Sequence, residues 1–63
     1  MRTFGATIKE KEGAVVNPTY MADDDFWKWN EPKPFLINFW GLENADVEDY
    51  TLYEVVNGDR KEL

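Results

Sequence analysis

The chain contains no cysteine and no histidine among its 63 residues. Without cysteine it can form no disulfide, no thiolate metal ligand and no thiol nucleophile. Without histidine it lacks the side chain that most often acts as a general base near neutral pH or binds a metal ion. The sequence therefore predicts no catalytic residue, no cofactor and no metal site, and it indicates a protein that is not an enzyme.

Long apolar runs are also missing. No run approaches the roughly 18–20 residues of a membrane span, and the first residues lack the apolar segment of a signal peptide. A chain of 63 residues predicts one small domain, residues 1–63, which buries only about 60% of the surface that its unfolded form exposes. We expect a cytoplasmic protein that does not contact membranes and whose core depends on its aromatic side chains.

The first third of the chain predicts a β-hairpin. Residues Thr3–Glu10 alternate apolar and polar side chains, which is typical of a half-buried strand. Lys11-Glu12-Gly13 can form a turn, and Ala14-Val15-Val16 can return as a second strand that Asn17-Pro18 ends.

The best predicted helix spans Ala22–Asn30. Asp23 can cap its amino terminus, and the carboxylates of Asp24 and Asp25 suit the positive end of the helix dipole. The two prolines of Glu31-Pro32-Lys33-Pro34 prevent this helix from continuing. Phe26 and Trp29 should share one side of it, with Trp27 elsewhere; an irregular loop is the alternative.

The most apolar run, Phe35–Trp40, predicts a central strand that Gly41 ends, because both of its faces are mostly apolar. We expect Phe35, Ile37, Phe39 and Trp40 in the core. The segment Lys33–Trp40 resembles the strand that leads into the active site of thioredoxin-like proteins. Their Cys-x-x-Cys pair is replaced here by residues 41–44, GLEN, so the resemblance implies a buried strand and no redox function.

The last third predicts an acidic loop, Glu43–Asp49, followed by a second hairpin. Tyr50–Val56 is rich in β-branched and aromatic residues, and Asn57-Gly58 is a favoured two-residue turn before a returning strand at Asp59–Leu63. A helix from Asn44 to Gly58 is the alternative. Together the elements predict an α+β fold: a small, mostly antiparallel sheet of four or five short strands with one short helix.

Negative charge is concentrated in the middle of the chain. The net charge is −6, and residues 23–54 hold nine acidic residues against two lysines, whereas the rest holds four acidic and five basic residues. Such a surface repels nucleic acid directly and attracts basic proteins. Charge of this kind also serves solubility alone, which is the simpler interpretation.

These features predict a small acidic protein-binding domain that inhibits or modulates a larger nucleic-acid-handling protein, as phage proteins do to host machinery, with nucleic-acid mimicry as one mechanism. The alternative is a non-catalytic accessory subunit of a larger assembly. The tryptophans could instead form a cage for a cationic ligand such as methylated lysine, and pairing into a homodimer would enlarge so small a core. The predicted partner-binding residues are Asp23, Asp24, Asp25, Trp27, Trp29, Glu43, Asp46, Glu48 and Asp49.

Overall fold

A computed structural model describes all residues, 1–63, as a five-stranded antiparallel sheet with two short helices. This is the predicted α+β class, with one helix more than expected. The elements in chain order are β1 (Arg2–Glu10), β2 (Val15–Val16), β3 (Thr19–Ala22), α1 (Asp24–Trp29), α2 (Pro32–Phe39), β4 (Val47–Val56) and β5 (Asp59–Glu62).

The centre of the sheet is β1, which pairs with β4 along one side and with both β2 and β3 along the other. The strands β2 and β3 follow one another along the same edge, and between them the amide of Ala6 donates to the carbonyl of Pro18 at 3.1 Å. The predicted amino-terminal hairpin is confirmed. The sequence did not predict β3, because Asn17-Pro18 resembles a complete stop where it is only a short interruption.

The carboxyl-terminal hairpin is also confirmed, with the expected turn. Asn57 and Gly58 both have positive φ, at 52° and 83°, which suits the right-handed twist of the strands that they join. The strand β4 begins at Val47, so the predicted acidic loop is shorter than expected. A helix does not form over this region.

The predicted helix after Ala22 is present as α1. The side chain of Asp23 accepts a hydrogen bond from the amide of Phe26 at 3.0 Å, which is the expected cap. Trp27 faces the sheet, where its indole donates to the carbonyl of Ala22 at 3.2 Å. Its ring lies edge-on to Phe4, with centroids 4.7 Å apart, so α1 is fixed to β1 by an aromatic contact.

The predicted central strand at Phe35–Trp40 is wrong, because Phe35–Phe39 belong to the helix α2 and Trp40 is its C-cap. Pro32 and Pro34 lie in its first turn, where backbone amides have no helical partner and proline loses nothing. The amide of Phe35 then donates to the carbonyl of Glu31 at 3.1 Å and begins the helical ladder. The strand implied by the thioredoxin resemblance is therefore also absent.

The carboxyl end of α2 closes around Gly41, whose φ is 61°. The amide of Leu42 donates to Ile37 at 2.9 Å and that of Gly41 to Asn38 at 3.2 Å. This pair of bonds defines a Schellman motif, in which glycine accepts the left-handed conformation. The motif turns the chain back and inserts Leu42 into the core.

The core lies between the helices and one face of the sheet. Its buried residues are Phe4, Ala6, Ile8, Trp27, Leu36, Leu42 and Leu52. The expectation for α2 was partly wrong: Leu36 is fully buried, Phe35, Ile37 and Trp40 are half-buried, and Phe39 is 55% exposed. A helix buries one side only, so the five apolar residues of this segment cannot all face inward.

Candidate protein-binding surfaces

The predicted acidic residues form two groups at opposite ends of β1. The α1 group is Asp23, Asp24 and Asp25, which follow Ala22, the residue paired with Arg2. The β4 group is Glu43, Asp46, Glu48 and Asp49; the carbonyl of Asp46 accepts from the amide of Lys11, just beyond Glu10. From Arg2 to Glu10 the strand rises about 26 Å at roughly 3.3 Å per residue. The structure therefore does not bring the nine predicted residues together.

Several of these carboxylates already have partners within the chain. The ion pairs are Met1 amine to Asp24 at 3.4 Å, Lys28 to Asp25 at 3.4 Å, and Lys9 to Glu48 at 3.7 Å. All three pairs are exposed, so each contributes little to stability. They do weaken the field of both acidic groups, and Glu43, Asp46 and Asp49 remain without a basic partner.

The tryptophans of α1 separate into a core residue and a surface residue. Trp27 is 7% exposed and Trp29 is 87% exposed. The two side chains are two residues apart, about 200° around a helix with 3.6 residues per turn, and so lie on opposite sides. Burial removes Trp27 from the predicted partner-binding residues. The predicted cage does not form either, because Trp27 and Trp29 point away from each other.

The ring of Trp29 has no role in holding the fold together. Seven of the ten aromatic side chains form one connected network over the core, and Trp29 is not among them. Asp25 lies four residues earlier, which places both side chains on the same side of α1. We call Asp25, Lys28 and Trp29 the outer face of α1: an exposed aromatic ring beside charged groups.

An ion pair that the sequence did not predict lies near the α1 group. The guanidinium of Arg2 donates two hydrogen bonds to the carboxylate of Glu54, both at 2.9 Å. These hydrogen bonds lower the pKa of Glu54 below its ordinary value, against the effect of partial burial. The two residues are 52 positions apart, so only strand pairing reveals the contact. Arg2 is held by Glu54, and its charge also acts on Asp24 of the α1 group.

Two clefts are present, and both are open to solvent. The larger, about 370 Å³, runs along α2 from Pro34 to Gly41 and includes Glu43 from the predicted set. The smaller, about 140 Å³, is lined by Glu10, Lys11, Glu12 and Asp46 beside the first hairpin turn. No group of three or more acidic side chains is placed to hold a metal ion. Neither helix is long and apolar enough to cross a membrane.

No model of a known protein family, no curated protein and no solved structure matches this chain. The functional argument therefore depends on the surfaces themselves.

Proposed function

We propose that this chain is a small protein-binding domain that modulates a larger protein with a basic surface, and that the outer face of α1 makes the principal contact. The observation that carries the proposal is the 87% exposure of Trp29. Tryptophan is among the residues that dominate binding energy at protein interfaces. Burying its ring against a partner would remove a large apolar area from water without disturbing the core.

The charge around Trp29 supports a basic partner. Asp23, Asp24 and Asp25 are all exposed, and the whole chain carries a net charge of −6. Charge of one sign accelerates encounter with a surface of opposite sign and orients the two proteins. Proteins that handle nucleic acids carry such basic surfaces, so they are the partner class that we propose, in the cytoplasm.

The dimensions favour steered binding over duplex mimicry. The longest dimension of the chain is 36 Å, and a duplex of that length carries about 21 phosphates at one charge per roughly 1.7 Å. The chain has 13 acidic residues in total, and 7 basic residues accompany them. The carboxylates also lie in two separated groups. We therefore propose local recognition at the outer face of α1, without imitation of a continuous phosphate backbone.

Capture from lysate of the cells that make the protein, followed by titration with the purified partner, tests this proposal. Trp29→Ser should weaken binding by about 30-fold or more, the effect of losing a central aromatic contact. Met21→Ser is the matched control, because Met21 is 60% exposed and lies on the sheet face away from the helices. Equal affinity of both variants and the unchanged protein would contradict the proposal.

Salt dependence separates this proposal from the alternative, an accessory subunit of a larger assembly. The observation that favours the alternative is Phe39, a second exposed aromatic ring, 5.0 Å from Tyr20 between centroids. Affinity that falls steeply with ionic strength supports charge-steered binding. Affinity that is insensitive to salt and lost in Phe39→Ser supports the accessory subunit. Competition by duplex DNA for the partner would show that the bound surface is its nucleic-acid site.

A further inference from the structure

The larger cleft runs along α2 from Pro34 to Gly41 and into the turn that leads toward β4. Six residues line its volume of about 370 Å³: Pro34, Ile37, Asn38, Gly41, Glu43 and Asn44. Ligand pockets usually begin near 300 Å³, so the cleft is large enough for one side chain of a partner. The Schellman motif at Gly41 fixes its shape, because it sets the path of the chain from α2 into the turn that carries Glu43 and Asn44.

The polar atoms of the cleft favour a cation. Glu43 supplies a carboxylate, Asn38 supplies an amide oxygen, and no lysine or arginine lines the cleft. The amide oxygen of Asn44 already accepts from the amide of Ala45 at 2.9 Å. The side chains of Glu43 and Asn38 make no hydrogen bond or ion pair within the chain. The carboxyl end of a helix also carries a partial negative charge. A carboxylate without a basic partner and a negative dipole end therefore meet in one concave site, where Asn38 can turn its amide oxygen toward a cation.

The remaining walls favour a planar cation. Pro34 and Ile37 supply apolar surface on one side of the cleft. A guanidinium group is flat and weakly hydrated on its faces, and its donors pair with a carboxylate through two parallel hydrogen bonds. An ammonium group is compact and strongly hydrated. It gains little from apolar surface and cannot form two parallel hydrogen bonds to one carboxylate.

We propose that the cleft is an arginine-binding site, in which Glu43 accepts the guanidinium of a partner protein and Asn38 contributes an amide acceptor. The site extends the proposed binding function. Its biological partner depends on that function, whereas binding of arginine itself does not. The cleft and the outer face of α1 share no residue, so each can be tested without the other.

Titration with N-acetyl-arginine amide, followed by NMR of the backbone and side-chain amides, tests the site directly. We expect saturable shifts centred on Asn38, Gly41 and Asn44. N-acetyl-citrulline amide, which has the same shape without the charge, should bind up to about fivefold more weakly, the upper effect of an exposed charged pair. Nα-acetyl-lysine amide, whose side-chain ammonium is free, should also bind more weakly than the arginine probe.

Two matched variants complete the experiment. Glu43→Gln should weaken arginine binding about fivefold. Glu31→Gln should leave it unchanged, because Glu31 is exposed, does not line the cleft and caps nothing with its side chain. Shifts spread over all the acidic residues, equal binding of citrulline or lysine probes, or equal effects of the two variants would overturn the site. Trp29→Ser should bind the arginine probe normally, so failure of the proposed function and failure of the cleft give different results.

Discussion

Replacing Gly5 by alanine should destabilise the fold through a single side chain, Tyr53. Gly5 and Tyr53 are directly opposite in the β1–β4 ladder, on the sheet face away from the helices. A Cβ at Gly5 would lie 2.5 Å from Cζ and Oη of Tyr53, well inside van der Waals contact. The far side of the ring is covered by the guanidinium of Arg60, 4.5 Å from the ring centroid. The ring must therefore swing out toward solvent when alanine is introduced.

The cost follows from the area that the ring exposes. A tyrosine side chain buries roughly 150–250 Å², so exposing half of it costs about 2–3 kcal/mol at roughly 25 cal/mol per Å². Removing glycine from a strand returns about 0.5–1 kcal/mol. The net loss in the free energy of unfolding should be about 2 kcal/mol. This is a large fraction of the roughly 3–9 kcal/mol expected for a domain of this size.

A double-mutant cycle isolates the cause. In a Tyr53→Val background the ring is gone, and alanine at position 5 fits beside valine because opposite Cβ atoms lie about 4.5–5.5 Å apart. There Gly5→Ala should stabilise the protein by about 0.5–1 kcal/mol, so the effect changes sign. Urea unfolding monitored by tryptophan fluorescence measures all four proteins. The reasoning is refuted if Gly5→Ala has the same effect in both backgrounds.

Three further predictions use the same unfolding assay. The lowered pKa of Glu54 stabilises the fold above the ordinary glutamate value of 4.5, and this stability is lost as pH falls through the lowered pKa. In Glu54→Gln the free energy of unfolding should therefore fall less between neutral and acid pH. A pH profile unchanged by this substitution would exclude the Arg2 contact as the cause of the loss. Leu36→Ala should cost about 2–5 kcal/mol and Phe39→Ala clearly less, since Leu36 is fully buried and Phe39 is 55% exposed; equal losses would argue against the orientation of α2. Gly58→Ala meets no atom within 4 Å but requires φ of 83°, so it should cost about 1–2 kcal/mol from backbone strain alone, and a neutral effect would contradict the left-handed turn.

The features that the sequence predicted correctly are those fixed by neighbouring residues. The alternation of β1 places Phe4, Ala6 and Ile8 on one face whatever lies above them. Asn57-Gly58 favours a two-residue turn because both residues accept positive φ. Asp23 caps α1 because its side chain reaches an amide three residues away. Each of these needs only a short stretch of chain, so each could be recognised without the fold.

The helix α2 shows where local pattern was insufficient. Six consecutive residues with one polar member fit a strand buried on both faces and a helix buried on one side equally well. Prolines that end one helix can also occupy the first turn of the next, so Pro32 and Pro34 do not distinguish a strand from a helix here. Whether Phe35–Trp40 forms a strand or a helix depends on the pairing of β1 with β4. Because these two strands fill the centre of the sheet, the segment covers one face of the sheet as a helix.

The candidate surfaces depended still more on tertiary structure. Composition established that the chain is acidic and rich in aromatic residues, and that it lacks the cysteine and histidine of many chemical sites. Only the packing of α1 decided that Trp27 is buried while Trp29 is exposed, since one short helix can present only one side to the core. Only the length of β1 separated the two acidic groups. Only the turn at Gly41 placed Glu43 beside Asn38. Contacts of this kind depend on how strands pair and where helices end, which a local sequence pattern does not determine.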